Sequence, residues 1–384
     1  MKDRIPIFLG IFSVMALSNA IVPVLPLFAE GAAAQGFLYS AYFLGAFILT
    51  LPAGLLADRY GPVPVIRTGL FVTLISGLLL LVSSSGGLLL AARVLEGFGA
   101  GLFVASALAW VNARPDHAAE SGIFLALLNG GLVTGLIVSG WLVERVAMPT
   151  AGIVLFTAIA IIPVGASLLM RNSHEPSATS PDKKSLVAGL IESLKSDRWL
   201  WYSAVVLVGI TGVVAALYPG FTGEHPTELG LQIAAMNIAT IIGVLLLSRL
   251  SFPPVGTLRI AALAMALSVL ALFVTPIGFI AIGLIAGVVM VAQLAYLAKT
   301  DRSQGTAMGL WSTATYAGMT VLPVIIGIVA ELTTFLLAFV LTAFFAVTVA
   351  LTIGRCSCRL RESSGSATDN PGTARGTDSN TGDR

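Results

Sequence analysis

Apolar runs about 20 residues long recur along nearly the whole 384-residue chain, and nothing else constrains its fold as much. A hydrocarbon layer of ~30 Å takes about 20 residues of helix to cross. Inside that layer every backbone N–H and C=O must be paired within the structure, so spans are helices or closed barrels. These runs are continuous and lack the period-two alternation of barrel strands, which selects helices. With 57% hydrophobic and only 10% charged residues, the chain cannot cover a soluble domain of this size with polar surface. The sequence predicts an all-α membrane protein with twelve transmembrane helices. They fall near 5–28, 34–57, 64–85, 88–112, 119–142, 149–170, 200–222, 228–248, 256–275, 277–298, 305–329 and 332–354.

The net charge of +2 carries no message about nucleic acid, and no nucleic-acid partner is expected. The placement of the charges is more telling. With the N-terminus inside, Lys2, Arg4, Arg59, Arg67, Arg114, Arg171, Lys183, Lys184, Lys195, Arg198, Arg249, Arg259, Lys299, Arg302, Arg355 and Arg359 all fall on one face. The other face keeps Arg145 with Glu30, Glu144, Glu224, Glu228 and Glu331. The positive-inside rule then predicts a multi-pass protein of the plasma membrane with both termini cytoplasmic and an even number of spans. Ser18-Asn19-Ala20 resembles a signal-peptide cleavage site, but the apolar run continues to Phe28, longer than a usual signal core. Cys356 and Cys358 sit where the last span meets the cytoplasm and give no disulfide framework; reduced thiols are expected there.

The chain is a tandem duplication. Gly122, Gly131, Gly140 and Glu144 return 187 positions later as Gly309, Gly318, Gly327 and Glu331. Gly97, Gly101 and Trp110 match Gly283, Gly287 and Tyr296 at 186, and Arg4, Glu30 and Gly36 match Arg198, Glu224 and Gly230 at 194. An ordered series of this kind predicts two pseudo-symmetric six-helix bundles of like orientation. The expected organisation is an N-terminal bundle at 1–170, a polar cytoplasmic linker at 171–199, a C-terminal bundle at 200–355 and a disordered cytoplasmic tail at 356–384. Leu186 to Leu194, inside the linker, has the pattern of a short surface helix.

Between the second and third apolar runs lies a short polar joint, Gly54-Leu55-Leu56-Ala57-Asp58-Arg59-Tyr60-Gly61, followed by Pro62, Pro64 and Arg67. On residue chemistry alone, Gly54 permits close backbone approach, Gly61 turns the chain, and proline suits the first turn of the next helix. The bland alternative is a solvated turn that ends a helix. Two six-helix halves with this joint after the second span resemble the major facilitator superfamily of secondary transporters over residues 1–355, most closely its 12-span drug–proton antiporter branch. Gly54, Leu56, Asp58, Arg59, Gly61 and Arg67 fill the family's loop signature, while Pro62 and Val63 replace its usual basic pair. The resemblance implies the two-bundle fold and a cytoplasmic latch at Gly54, Asp58, Arg59, Gly61 and Arg67, holding the halves together in the outward-open state.

Arg93 and Glu96 lie within the fourth span, three residues apart on one helix face. Ionisable groups at that depth are costly and commonly line an interior cavity. The stretch Arg93-Val94-Leu95-Glu96-Gly97-Phe98-Gly99-Ala100 resembles a second family signature, with Glu96 where glutamine is usual. The resemblance implies proton transfer at Arg93, with Glu96 as its protonatable partner. A neutral ion pair that merely makes burial tolerable is the open alternative. Gly131, Gly135 and Gly140 in the fifth span resemble a degraded antiporter stretch, with Leu136 for its proline and Ser139 for one glycine. Pro323 restores the proline in the second half, beside Gly318 and Gly327. Such glycine spacing chiefly reports close helix packing.

Asn19, Arg93, Glu96, Asn129, Gln293 and Tyr316 are polar or aromatic within spans and are expected to line a central cavity. Asn237 and Trp311 are further candidates of the same kind. The second half has no mid-span charge, and at its counterpart of the joint a serine stands for Asp58. Ion handling is thus expected in the first half, and shape with apolar contact in the second. Such walls fit a lipophilic or weakly polar solute better than a polyanion. The parts of an enzyme are missing: His117, His174 and His225 are scattered over loops, and no phosphate-binding loop occurs.

The sequence thus predicts a transporter, not an enzyme, with a small-molecule substrate and the lipid bilayer as its partners. No metal and no cofactor are expected, a proton gradient is the expected energy source, and a monomer the expected state. Proton-coupled efflux by alternating access leads. A metabolite uptake symporter or uniporter, and a membrane sensor or scaffold that moves nothing, stay open beside it.

Overall fold

The computed structural model describes residues 4–83, 85–114, 117–170, 194–248, 250, 252–298 and 304–355. The tail with Cys356 and Cys358, most of the linker with its expected surface helix, and Arg249 and Ser251 of the second joint lie outside them. Twelve long helices carry the chain among the described residues: α1 Arg4–Ala20, α2 Ala32–Tyr60, α3 Pro62–Val82, α4 Gly86–Asn112, α5 His117–Val146, α6 Ala151–Ser167, α7 Arg198–Thr222, α8 Pro226–Leu247, α9 Pro254–Leu272, α10 Gly278–Leu297, α11 Gln304–Leu332 and α12 Phe335–Thr352. Eleven spans are long and apolar enough to cross a membrane, and α6, at 17 residues, is a shorter apolar helix. Each coincides with an apolar run of the sequence. Leu55, Ile162, Leu246, Ile260, Leu267 and Phe344, among many large apolar side chains, face outward, a surface suited to lipid rather than water.

The first span does not run straight. After Ala20 it passes through a 3-10 turn, Val22–Val24, into a single helical turn, Leu25–Phe28. Pro23 and Pro26 cause this, since neither has an N–H to donate and each ring crowds the preceding turn. The carbonyl of Ala20 at this break accepts a hydrogen bond from Ser139 Oγ of α5. Pro323 in α11 likewise cannot donate to the carbonyl four residues back, and there Ser40 Oγ of α2 donates to Met319 O at 3.4 Å. In both places a hydroxyl on a neighbouring helix serves the carbonyl beside a proline.

The joint after α2 is tighter than a loop. Helix α2 continues through Asp58 to Tyr60, and α3 starts at Pro62, leaving Gly61 alone between them. Gly61 has φ +83, where a Cβ would be strained, so this turn needs glycine. Gly54 departs from expectation: a Cβ there would meet nothing within 4 Å, so it makes no close backbone approach in this conformation. Arg67 donates to the carbonyls of Ser167 (2.7 Å), Leu168 (3.3 Å) and Met170, thereby capping the end of α6. A cation satisfying the last carbonyls of a helix also opposes the negative end of its dipole.

The duplication is visible as paired contacts. Within the bundles, α1 packs on α5 as α7 packs on α11, and α2 packs on α4 as α8 packs on α10. Gly131 and Gly135 set their Cα against the carbonyls of Phe12 and Ala16, and Gly318 sets its own against Val205 O. Between the bundles, α2 crosses α11 and α5 crosses α8.

Candidate functional site

A cavity of about 300 Å³ lies between the halves, walled by both. Asn19, Tyr39, Tyr42 and Phe43 face it from the first half, and Thr211, Asn237, Trp311 and Tyr316 from the second. Met15, Met236, Met290 and Met319 fill in the apolar wall. No charged side chain lines it among the described residues. Asn19 Nδ2 donates to Leu132 O at 3.2 Å and Asn237 Nδ2 to Ile233 O at 2.9 Å, so each amide is held in a fixed orientation. Phe43 bridges the halves, with Tyr39 and Tyr42 each 5.0 Å from it and Tyr316 at 6.3 Å.

Four of the six residues expected on this wall stand elsewhere. Asn129 turns back on its own helix and donates to Leu125 O at 2.8 Å. Gln293 is fully buried behind the wall, where its Oε1 accepts from Trp311 Nε1 at 2.9 Å and its Nε2 donates to Ser203 Oγ at 3.2 Å. Arg93 and Glu96 are also fully buried, packed inside the first bundle between α1, α2 and α4. A lone ionisable group would have sought water in the cavity. These two satisfy each other, Arg93 Nη1 lying 2.5 Å from Glu96 Oε2, so the pair tolerates the protein interior. Arg93 also donates to Ser18 O at 3.2 Å and Leu38 O at 3.5 Å, and its guanidinium lies 5.0 Å from the Tyr42 ring centroid. Glu96 Oε1 is buried with no hydrogen-bond partner. Tyr42 and Ser18 therefore stand between the ion pair and the cavity. Tyr39, Tyr42 and Thr211 were missed from the sequence. Arg93 three residues from Glu96 was the available signal for the layer behind Tyr42, but only the crossing of α2 over α4 shows which tyrosine it touches.

At one end of the cavity the halves close on each other through two matching crossings. Gly36 of α2 abuts the carbonyl of Pro323 in α11, and Gly327 of α11 abuts that of Ala32. Gly230 of α8 abuts the carbonyl of Leu136 in α5, and Gly140 of α5 abuts that of Pro226. Adding 194 to Gly36 and Ala32 gives Gly230 and Pro226, and adding 187 to Leu136 and Gly140 gives Pro323 and Gly327, so the two crossings are copies. Each also carries a carboxylate on the N-terminus of the helix it crosses: Glu144 accepts from Thr227 N at 2.9 Å and Glu331 from Ala33 N at 3.4 Å. The first amides of a helix have no partner of their own and sit at its positive dipole end, which suits a carboxylate. Toward Arg4 and Tyr60, among the described residues, the contact is looser: a Cβ at Gly309 of α11 would meet only the tip of Leu51 of α2, at 4.0 Å. Arg59 lies 5.2 Å from the Tyr60 ring at that end.

Two like bundles of six helices, fused in one chain around a shared cavity and closed at one end by repeat-related crossings, define a multi-pass membrane protein. The chain belongs to the Major Facilitator Superfamily, whose profile it matches over residues 7–302. Among curated relatives, it is 28% identical to the Methylenomycin A resistance protein of Bacillus subtilis over 192 residues, 46% of this chain and 40% of that protein. It is 24% identical to the quinolone resistance protein NorA of Staphylococcus aureus over 253 residues, 62% of this chain and 64% of NorA. The matches thus span from two fifths to just under two thirds of those relatives' length. Among solved structures it resembles the nucleoside transporter NupG, with TM-score 0.72 and 14% identity over 92% of this chain and 98% of that one. It also resembles a bacterial homolog of the human lysosomal transporter Spinster, with TM-score 0.73 and 14% identity over 92% and 96%. At such identities the likeness speaks to the fold.

Proposed function

We propose that this protein is a secondary active transporter that works by alternating access and expels a small lipophilic or weakly polar compound in exchange for protons. The observation that carries the reading is the pair of copied crossings at one end of a cavity shared by both halves. Two bundles that touch through repeated, mostly glycine-on-carbonyl contacts can rock about the cavity and exchange which end is shut. By the positive-inside rule the open end, with Arg4, Arg59 and Arg67, is cytoplasmic, which makes this conformation inward-open and places both termini inside. The latch at Asp58 and its neighbours then belongs to the opposite, outward-open state.

For the coupling ion, Glu96 has a buried oxygen with no partner, available to a proton, and Arg93 beside it balances the carboxylate's charge when that proton leaves. Tyr42 and Ser18 connect this pair to the solute. The direction of transport is supported by the relatives' names, which record resistance to methylenomycin A and to quinolones. The test uses the full chain in proteoliposomes loaded with a lipophilic dye, with and without an imposed pH gradient. Dye movement that accelerates with the gradient, and loses that dependence in Glu96→Gln, is the expected result. Gradient-independent flux supports a uniporter instead, and no flux supports the sensor or scaffold.

A further inference from the structure

Every ring at the cavity is braced by its neighbours. Trp311 spends its one donor on Gln293 Oε1 (2.9 Å), and Gln293 is itself tied to Ser203 (3.2 Å), so two buried side chains hold the indole from behind. With its N–H taken, the indole has only its edges and faces left for a solute. Opposite, the Tyr42 ring rests against the Arg93 guanidinium at 5.0 Å and packs edge-on against Phe43 at 88°. Phe43 and Tyr316 carry the aromatic surface from one half to the other, 6.3 Å apart.

Charge is excluded from the same wall. An ion that left water for this cavity would lose its hydration and find no counter-charge in return. Ring faces would return only a small part of that loss to a cation. To an anion they present the negative side of their quadrupole. A cavity of about 300 Å³ stands at the small end of ligand sites, roomy enough for a two-ring molecule.

We propose that the cavity selects uncharged solutes built on a small flat ring system, gripped between Tyr42 and Phe43 on one side and Trp311 and Tyr316 on the other, with Gln293 as the positioning residue that fixes Trp311. This rests on the transport reading above and narrows it. The selection comes from two features acting together: braced ring faces favour flatness, and the uncharged wall rejects ions. Asn19 and Asn237 add fixed amides for a weakly polar substituent.

The test is binding by the purified full-length protein in detergent, with four matched probes: 2-naphthamide, 2-naphthoate, trimethyl-2-naphthylammonium and the saturated decalin-2-carboxamide. The neutral aromatic amide should bind about tenfold or more tightly than each of the other three, a gap worth about 1.4 kcal/mol. Gln293→Leu should weaken that preference several-fold and abolish the near-ultraviolet circular dichroism band that Trp311→Phe also removes, while the bands of the other aromatic residues stay, which general loosening would not do. Should Gln293→Leu fail to fold, Trp311→Leu carries the test, with loss of naphthamide binding at unchanged thermal stability as the expected result. Equal binding of an ionic or saturated probe overturns the proposal, as does binding of no probe above the micelle background. The transport reading fails separately: selective binding without flux strikes that reading alone, whereas proton-driven flux without ring selectivity strikes only this one.

Discussion

The fourth helix and its copy, the tenth, fill one place in the fold with opposite chemistry. At the spacing of 186, Arg93 and Glu96 correspond to Phe279 and Ile282. In the first half the place holds a buried ion pair tied to two backbone carbonyls. In the second, Phe279 is buried edge-on against Tyr218, with ring centroids 4.7 Å apart, and Ile282 is fully buried. Apolar replacement of a buried pair is commonly neutral or stabilising, and the second half shows that this architecture accepts it. The second bundle is thus built at this place without an ion pair. The ion pair of the first half holds what a phenylalanine lacks, a carboxylate able to bind a proton, and this is the group on which the proposed coupling rests.

The comparison breaks most easily at Arg93. Arg93→Met leaves Glu96 buried without its partner and should cost about 3–5 kcal/mol, read as a large drop in thermal stability or in folded yield. The double variant Arg93→Met/Glu96→Leu imitates the second half, so it should recover most of that stability while losing dependence of flux on the pH gradient. A double variant as unstable as the single one would make the pair a structural requirement. One that kept proton-driven flux would remove the pair from the coupling.

The crossings give the opposite expectation, since there the halves are alike. Gly36→Val and Gly230→Val each place a side chain against a backbone carbonyl of the other half, so each should hold the outer end open. In a background with Cys356 and Cys358 replaced, a cysteine at cavity position 22 should react with an impermeant maleimide added outside several-fold faster in either variant. An effect from one alone would mean that the gate is not symmetric. Smaller changes of the same sign are expected from Glu144→Gln and Glu331→Gln. These carboxylates are at the exposed rim, where solvent screens the attraction of a helix N-terminus. Unchanged labelling in the Glu144→Gln/Glu331→Gln double variant would leave the glycines as the whole of the gate.

Much of this molecule is legible in its sequence. Apolar runs give every helix to within a few residues, because in a membrane the length and continuity of a run leave little else for the backbone to do. Gly140 and Gly327, recognised as repeats, abut repeat-related carbonyls. The site is read less well. Polarity within a span marks Asn19 and Tyr316, which face the cavity, no differently from Asn129, which bonds its own helix, or Gln293, which stands behind Trp311. A polar side chain in a span must be satisfied, and the sequence does not say whether a solute, a backbone carbonyl or another side chain does it. Gly54 shows the same limit: its expected close contact depends on how the bundles sit, and here a Cβ would meet nothing within 4 Å.

The sequence by itself determined the class of solvent, the number of helices, the duplication and the family, because hydrophobic length and repeated motifs are local properties of the chain. Tertiary structure decided which end of the cavity is shut and which residues see it. It also decided that Arg93 and Glu96 stand behind Tyr42 rather than in the open. Those outcomes depend on helices meeting across more than eighty residues, where α2 crosses α11 and α5 crosses α8. Close contact there is set by which glycine meets which carbonyl, and no single segment contains both.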